Sequence, residues 1–381
     1  MRLAFLLFKY FPFGGMQRDF YRFVEESLER GHQCRVYYIK WQGDPVPGAD
    51  LRRVPVSALS NHRRNERYYE WVKDDLSRDP VDGVIGFNKM PGLDVYYAAD
   101  SCYLDKATRE RGALYRRSAR FHHIADYELA VFGADSDTEI LLISDTERVK
   151  FEHYYHTPAG RMHMLPPGIS ADRRRPDDAS ARRRGQRQVM DIGNDDFVML
   201  FVGSGFIKKG LDRAIHALAR VVQEQPSITA RLLVVGQDKQ RRFERLAKRL
   251  GVSDAVFFLG GRDDVPNLLL AADILIHPAL DEAAGIVLLE ALVAGLPVVV
   301  TDICGYAHHI ASGRAGIVLD SPFDQDQLDR AVLRMLDGVY RAECRRSALL
   351  YAEMTDLYSM HTTGARLIEE LVQARLESGG G

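Results

Sequence analysis

Short apolar runs alternate along the chain with stretches whose apolar residues recur every three or four positions. Leu3–Phe8 reads as a buried strand, Gly14-Gly15 as a turn, and Met16–Arg30 as a helix stopped by Gly31. Gln33–Tyr38 (QCRVYY) and Val81–Phe87 (VDGVIGF) read as further strands. Leu141–Ser144 follows a long helical stretch, and Met162–Leu165 precedes Pro166-Pro167-Gly168. Strands separated by helices predict a parallel α/β sheet with right-handed crossovers.

The pattern then lapses. Residues 170–187 are rich in Arg, Asp and Pro with almost no large apolar side chain, which predicts a linker of exposed turns. Beyond it the alternation restarts. Val198–Val202, Arg231–Val235, Val256–Leu259, Ile274–Ile276 and Pro297–Thr301 read as strands. Leu211–Gln223, Arg241–Leu250, Val265–Ala271 and Ile286–Ala294 read as the helices between them. The predicted fold class is α/β: two Rossmann-like, doubly wound domains with a cleft between them. Residues 1–169 form the first, 170–187 the linker and 188–355 the second. Residues 356–381 form a helix crossing back to the first domain, with a flexible Ser-Gly-Gly-Gly tail. A length of 381 residues agrees with two cores rather than one.

Composition narrows the class. With 46% apolar and 27% charged residues and a net charge of −2, the chain is an ordinary globular protein whose balanced total still allows local patches. Cys34, Cys102, Cys304 and Cys344 are far apart with no C-x-x-C pairing, which argues against a zinc site or disulfide framework and for a reducing compartment. The apolar start MRLAFLLF is too short for a signal peptide and is followed by Lys9. No run approaches the roughly 20 apolar residues that span a bilayer.

Candidate chemistry sits at the strand ends, where such sheets bind ligands. Gly14-Gly15 opens a helix whose amides suit an anion or sugar hydroxyl, or else is only a tight turn; GGMQRD is not a dinucleotide fingerprint. Gly203-Ser204-Gly205 and Lys208-Lys209-Gly210 place two ammonium groups beside a glycine turn, suited to a diphosphate or, equally, to solvent. They do not form a P-loop, which disfavours ATP hydrolysis. The sharpest signal is Asp281 to Glu290 (DEAAGIVLLE). Ala283, Ala284 and Gly285 leave the amides at a helix start open, and Glu282 and Glu290, eight residues apart, can accept from polyols. The apolar neighbours of Glu290 make a solvated face a poor reading. Asp135-Ser136-Asp137 has D-x-D spacing but lies in a polar stretch, a weak metal candidate.

The Glu282/Glu290 pair, the Lys208/Lys209 turn, the Gly14-Gly15 loop and the strand end at Gly236 resemble the retaining GT-B glycosyltransferases of family four, over nearly the whole chain. KYFPFGGMQRDF, GFNKMPGLDVY from Gly86 to Tyr96, LPPGI from Leu165 and CGYAHHI from Cys304 are similar to the glucosyltransferases of the lipopolysaccharide core within it. That resemblance implies glucose transfer from UDP-glucose to the second heptose of the inner core, with retention of configuration and no metal or other cofactor. It implies that Lys208 and Lys209 neutralise the diphosphate, Lys208 standing where the family often has Arg. Glu282, helped by the amides of Ala284, Gly285 and Ile286, would hold the donor sugar, and Glu290 the ribose. Gly15 and Asp19 would lie near the donor phosphate, Arg262 near the uracil, and Arg173 would reach the cleft. Asp100, also a catalytic candidate, and His123 would serve the acceptor. A transferase using UDP-galactose or another UDP-hexose remains the nearest alternative. A UDP-sugar epimerase and a binding-only sensor are more remote.

Between Lys106 and Arg120 six basic residues face one acid. On a single helix running to Phe132, Arg109, Arg116, Arg120 and His123 share a face, with Leu114, Phe121, Ala125 and Phe132 opposite. Such a run is often merely solvated. With a lipid-linked acceptor implied, Arg109, Arg116, Arg117 and Arg120 are expected to meet an anionic membrane, placing the protein peripherally on the cytoplasmic face of the inner membrane.

Overall fold

The computed structural model describes residues 1–12 and 14–379. The chain divides into two compact units, Met1–Pro166 with Ser359–Gly381, and Pro167–Tyr358. The first holds seven strands: β1 (Arg2–Tyr10), β2 (Gln33–Trp41), β3 (Asp50–Arg53), β4 (Gly83–Gly86), β5 (Val95–Ala98), β6 (Glu139–Leu142) and β7 (Met162–Met164). They pair in parallel in the order β3-β2-β1-β4-β5-β6-β7. Leu3, Ala4, Phe5 and Leu7 of β1 are almost wholly buried because helices cover both faces, which is why this strand reads as a continuous apolar run. The covering helices are α1 (Gly15–Glu29), α2 (Asn61–Arg78), α3 (Tyr103–Glu110), α4 (Ala113–Arg116), α5 (Ala119–Phe132) and α6 (Asp145–Tyr155).

The second unit repeats the design. It contains α7 (Ala179–Val189), β8 (Phe197–Val202), α8 (Leu211–Glu224), β9 (Ala230–Val235), α9 (Arg241–Arg249), β10 (Val256–Gly260) and α10 (Val265–Ala271). It continues with β11 (Ile274–His277), α11 (Ile286–Ala294), β12 (Val298–Thr301), α12 (Ala307–Ser312), β13 (Gly316–Leu319), α13 (Gln325–Arg334) and α14 (Gly338–Met354). The parallel order is β10-β9-β8-β11-β12-β13. The final helix, α15 (Met360–Gly379), belongs to the first unit and packs on α1, where Gly364 leaves room for the Phe23 ring. Gly380 and Gly381, the end of the expected flexible tail, lie outside the described residues. No described helix is long and apolar enough to cross a membrane. All four cysteines are buried free thiols.

Two expectations need correction. Residues 170–187 are not a linker of exposed turns: they lie within the second unit, and α7 starts inside them. Arg183 and Arg187, one helical turn apart, share a face and converge on Asp273, at 2.7 and 3.3 Å. Arg183 also donates to the carbonyls of Leu270, Ala271 and Ala272, satisfying the end of α10. Arg187, almost wholly buried, donates to the carbonyls of Gly193 and Asp196. The charges that looked like solvent contacts instead satisfy carbonyls inside the fold.

The stretch from Lys106 to Phe132 is likewise not one helix. It breaks at Gly112 and Ser118, and the Ser118 hydroxyl accepts from Phe121 N to start α5. The single-wheel alignment therefore fails. Leu114, expected to pack on the domain, is 86% exposed, and His123, expected on the basic face, is buried.

Asp273 also accepts from Val198 N at 2.8 Å. Asp273→Ala leaves two guanidinium groups and this amide without their carboxylate, so stability should fall by about 3 kcal/mol, the usual cost of breaking a buried pair. Urea unfolding followed by circular dichroism measures it; an unchanged midpoint would show the cluster to be inert.

Candidate active site

Parallel sheets bind ligands beyond the strand C-termini where the strand order reverses. In the second sheet that point lies between β8 and β11. From β8 the chain turns through Gly203 (φ +133°) and Gly210 (φ +71°) into α8; from β11 it turns through Gly285 (φ +86°) into α11. The two turns touch, with Leu280 N donating to the Lys208 carbonyl at 2.7 Å. A Cβ at Gly210 would strike the Pro278 carbonyl, and one at Gly203 would lie 2.5 Å from Lys209 Cε. The positive φ favours glycine at both places, and at Gly210 the Pro278 carbonyl also excludes a Cβ.

That approach joins Lys209 to Glu282. Lys209 Nζ donates to Glu282 Oε2, and both side chains are 19% exposed. His277, the last residue of β11, is wholly buried with Nε2 3.5 Å from the same oxygen. Burial disfavours the Glu282 charge, but His277 and Lys209 outweigh it and hold the carboxyl down to about 2. Burial in turn pushes His277 below the ordinary histidine value, and Lys209 adds to this against the pull of Glu282, so the imidazole is neutral. The Cys304 thiol, pushed up to about 12 by burial and by the Glu282 charge, is also neutral.

The surrounding loop is braced from three sides. Thr301 Oγ1 donates to the Ala279 carbonyl at 2.9 Å, and Tyr306 N to the Ala284 carbonyl at 2.8 Å. Arg213 donates to the carbonyls of Pro278 and Ala279. Ala284 and Gly285 are buried and Ile286 begins α11, whose first amides have no partner within the helix and suit an anion or hydroxyl. Lys208 is more exposed and lies 3.2 Å from Asp281.

Glu290, further along α11, is buried with Oε1 3.7 Å from Arg173 Nε. Together they line a cavity of about 170 Å³ with Arg174, Arg182 and Asn267. Arg262, beyond β10, forms a two-pronged pair with Asp264 at 2.7 and 2.6 Å.

In the first unit Gly15 opens α1 and Asp100 is exposed beyond β5. Asp19 is buried, with Oδ2 accepting from Tyr97 at 2.8 Å and Oδ1 2.9 Å from His361 Nε2, which ties α1 to β5 and α15. His123 packs against Tyr127 with Nδ1 3.3 Å from Glu66 of α2. Arg109 pairs with Asp105, while Arg116, Arg117 and Arg120 are exposed. Asp135-Ser136-Asp137 forms a turn in which the Ser136 hydroxyl donates to the Ala130 carbonyl.

Two groups escaped the sequence reading. His277 lies one residue past the expected strand Ile274–Ile276 and carries no role in the sequence reading, although a histidine closing an otherwise apolar strand, five residues before a glutamate, is a usable signal. Lys89 and Glu128 form a buried pair in which Glu128 accepts from Tyr103 N, Leu104 N and the Tyr155 hydroxyl, holding the start of α3. Their separation in sequence leaves no local trace.

Because the Glu282 carboxyl is lower in the folded protein than its ordinary 4.5, its charge adds stability that is present above that value and lost as pH falls toward about 2. The stability difference between the parent and Glu282→Gln should be flat above about pH 5 and shrink below it. Urea midpoints across that range test this; a constant difference down to about pH 3 contradicts it.

Residues 182–348 match the family described as glycosyl transferases group 1. Over 369 residues the chain is 46% identical to the lipopolysaccharide glucosyltransferase WaaG of Escherichia coli (strain K12), spanning 97% of this chain and 98% of that protein. The crystal structure of WaaG, a glycosyltransferase involved in lipopolysaccharide biosynthesis, superimposes with a TM-score of 0.93 over 96% of this chain and 99% of that one. Anabaena Alr3699/HepE in complex with UDP-glucose shares the fold at 18% identity and a TM-score of 0.75, over 99% of this chain and 100% of that one. The chain belongs to the group 1 glycosyl transferases, in the same family as the lipopolysaccharide glucosyltransferase, and is a glycosyltransferase of GT-B architecture with two Rossmann-like domains.

Proposed function

We propose that the protein transfers glucose from UDP-glucose to the second heptose of the lipopolysaccharide inner core, with retention of configuration and without a metal ion. The observation that carries this is the Lys209–Glu282 pair at the reversal point of the second sheet, in a chain 46% identical to a lipopolysaccharide glucosyltransferase. Lys209 and Lys208 answer the charge that builds on the departing diphosphate, aided by the amides opening α11. This is electrostatic preorganisation, most effective in a site that excludes water. Glu282 accepts from donor-sugar hydroxyls, and Glu290 beside Arg173 accepts from the ribose. Arg262 contacts the base, Gly15 serves the donor phosphate, and Asp100 serves the acceptor side. UDP-galactose or another UDP-hexose is the competing donor, and a panel of labelled UDP-sugars with truncated lipopolysaccharide decides between them.

Glu282→Gln should lower transfer about a hundredfold, the usual scale for a lost transition-state contact; a drop below about tenfold counts against a sugar contact. Transfer should continue in excess EDTA and fall steeply in Lys209→Ala. Activity abolished by chelator and restored by magnesium or manganese would sink the metal-free reading.

We also propose a peripheral seat on the cytoplasmic face of the inner membrane. Exposed Arg116, Arg117 and Arg120 surround an exposed Leu114, pairing charge with an apolar contact. Each basic residue near an anionic surface contributes about 1 kcal/mol. The protein should sediment with anionic but not zwitterionic vesicles, less so at high salt. Changing all three arginines to serine should release it, and equal binding of that variant would move the contact elsewhere.

A further inference from the structure

His277 is a polar group in a place built for an apolar one. Every residue of β11 is buried, and neither ring nitrogen of His277 makes a hydrogen bond among the described residues. Leaving a buried imidazole without partners costs free energy, and an apolar side chain would avoid that cost. The ring faces Glu282 from the loop before α11 and Lys209 from the turn before α8. Cys304, after β12, is a neutral thiol beside the same carboxylate, and Arg213 of α8 is occupied by the Pro278 and Ala279 carbonyls. The strands on either side, β8 and β12, pair with β11 through apolar residues.

Glu282 therefore has one cation on it and one latent partner behind it. The 3.5 Å from His277 Nε2 to Glu282 Oε2 exceeds a made hydrogen bond by a few tenths of an ångström. While Lys209 sits on Glu282, a second positive charge there is repelled. A diphosphate competes for the same ammonium, and once Lys209 turns to it, the largely buried carboxylate needs another countercharge.

We propose that His277 is a positioning residue that takes up one proton from solvent as the donor draws Lys209 from Glu282, and as imidazolium holds that carboxylate in place for the sugar. The proposal rests on the donor reading above. The proton ends on Nε2, shared in a charge-assisted hydrogen bond to Oε2; no covalent bond changes. Because the bound form holds the imidazolium and the free form does not, donor affinity weakens as pH rises from the His277 pKa of the free protein toward the higher one of the complex, and levels off beyond it.

Calorimetric titration of UDP-glucose, whose diphosphate diester has no group titrating near neutrality, tests this in buffers of differing ionisation enthalpy. The parent should bind with net proton uptake and lose up to about tenfold in affinity per pH unit between the His277 pKa of the free protein and that of the complex. His277→Gln and His277→Asn should bind with no uptake and a flat profile, with a lowered kcat. Histidine ring-carbon NMR on the unsubstituted protein gives a second readout: one imidazole signal should move to its protonated position on donor binding. Binding without proton uptake by the parent, or equal uptake by His277→Gln, overturns the proposal and leaves the donor reading intact. No binding of UDP-glucose by the parent overturns both.

Discussion

A carboxylate held mostly out of water, with its charge answered by one lysine, is the constraint around which the second unit is arranged. Lys209 and Glu282 lie on different turns, after β8 and after β11, and can meet only if those turns nearly touch. Gly203 and Gly210 allow the approach, and the bond from Leu280 N to the Lys208 carbonyl fixes it. Burial opposes the Glu282 charge, and His277 and Lys209 together outweigh it. Keeping it charged makes it a strong acceptor for hydroxyl groups, and keeping the pair at the strand ends puts both charges where a diphosphate sugar has both an anion and polyols to offer.

The same rule explains the charges that do not face a ligand. Asp19 between Tyr97 and His361, Glu128 beside Lys89, and Asp273 between Arg183 and Arg187 are all buried with their oxygens engaged. Each joins elements distant in sequence: α1 to α15, the segment after β4 to α5 and α3, and α7 to the start of β11. A charge that finds its partners inside the fold becomes a structural link, and one left at a strand end becomes available for chemistry.

The basic segment shows a second consequence of packing. Its start is held by Glu128, which accepts from the first amides of α3, while Gly112 and Ser118 divide the rest into short helices. Short helices can turn different faces to solvent, so Leu114 is exposed instead of packed on the domain. A helical wheel assumes one unbroken axis and fails where a glycine and a serine cap interrupt it.

Periodicity alone was enough for two parallel α/β sheets and for most of the strands and helices that build them, because strands covered on both faces must be continuously apolar. The glycine turns and the DEAAGIVLLE segment were legible for a related reason: open amides, positive φ and carboxylates at a helix start are local properties of a few adjacent residues. The short strands Asp50–Arg53, Val95–Ala98 and Gly316–Leu319 were not, since four residues carry too little pattern. Only the tertiary structure decided which charges each buried acid meets, that α7 is core rather than linker, and that His277 stands behind Glu282. These depend on which charges meet across distances of tens to hundreds of residues, and the energy of a buried charge is set by its partners in space, which no local pattern encodes.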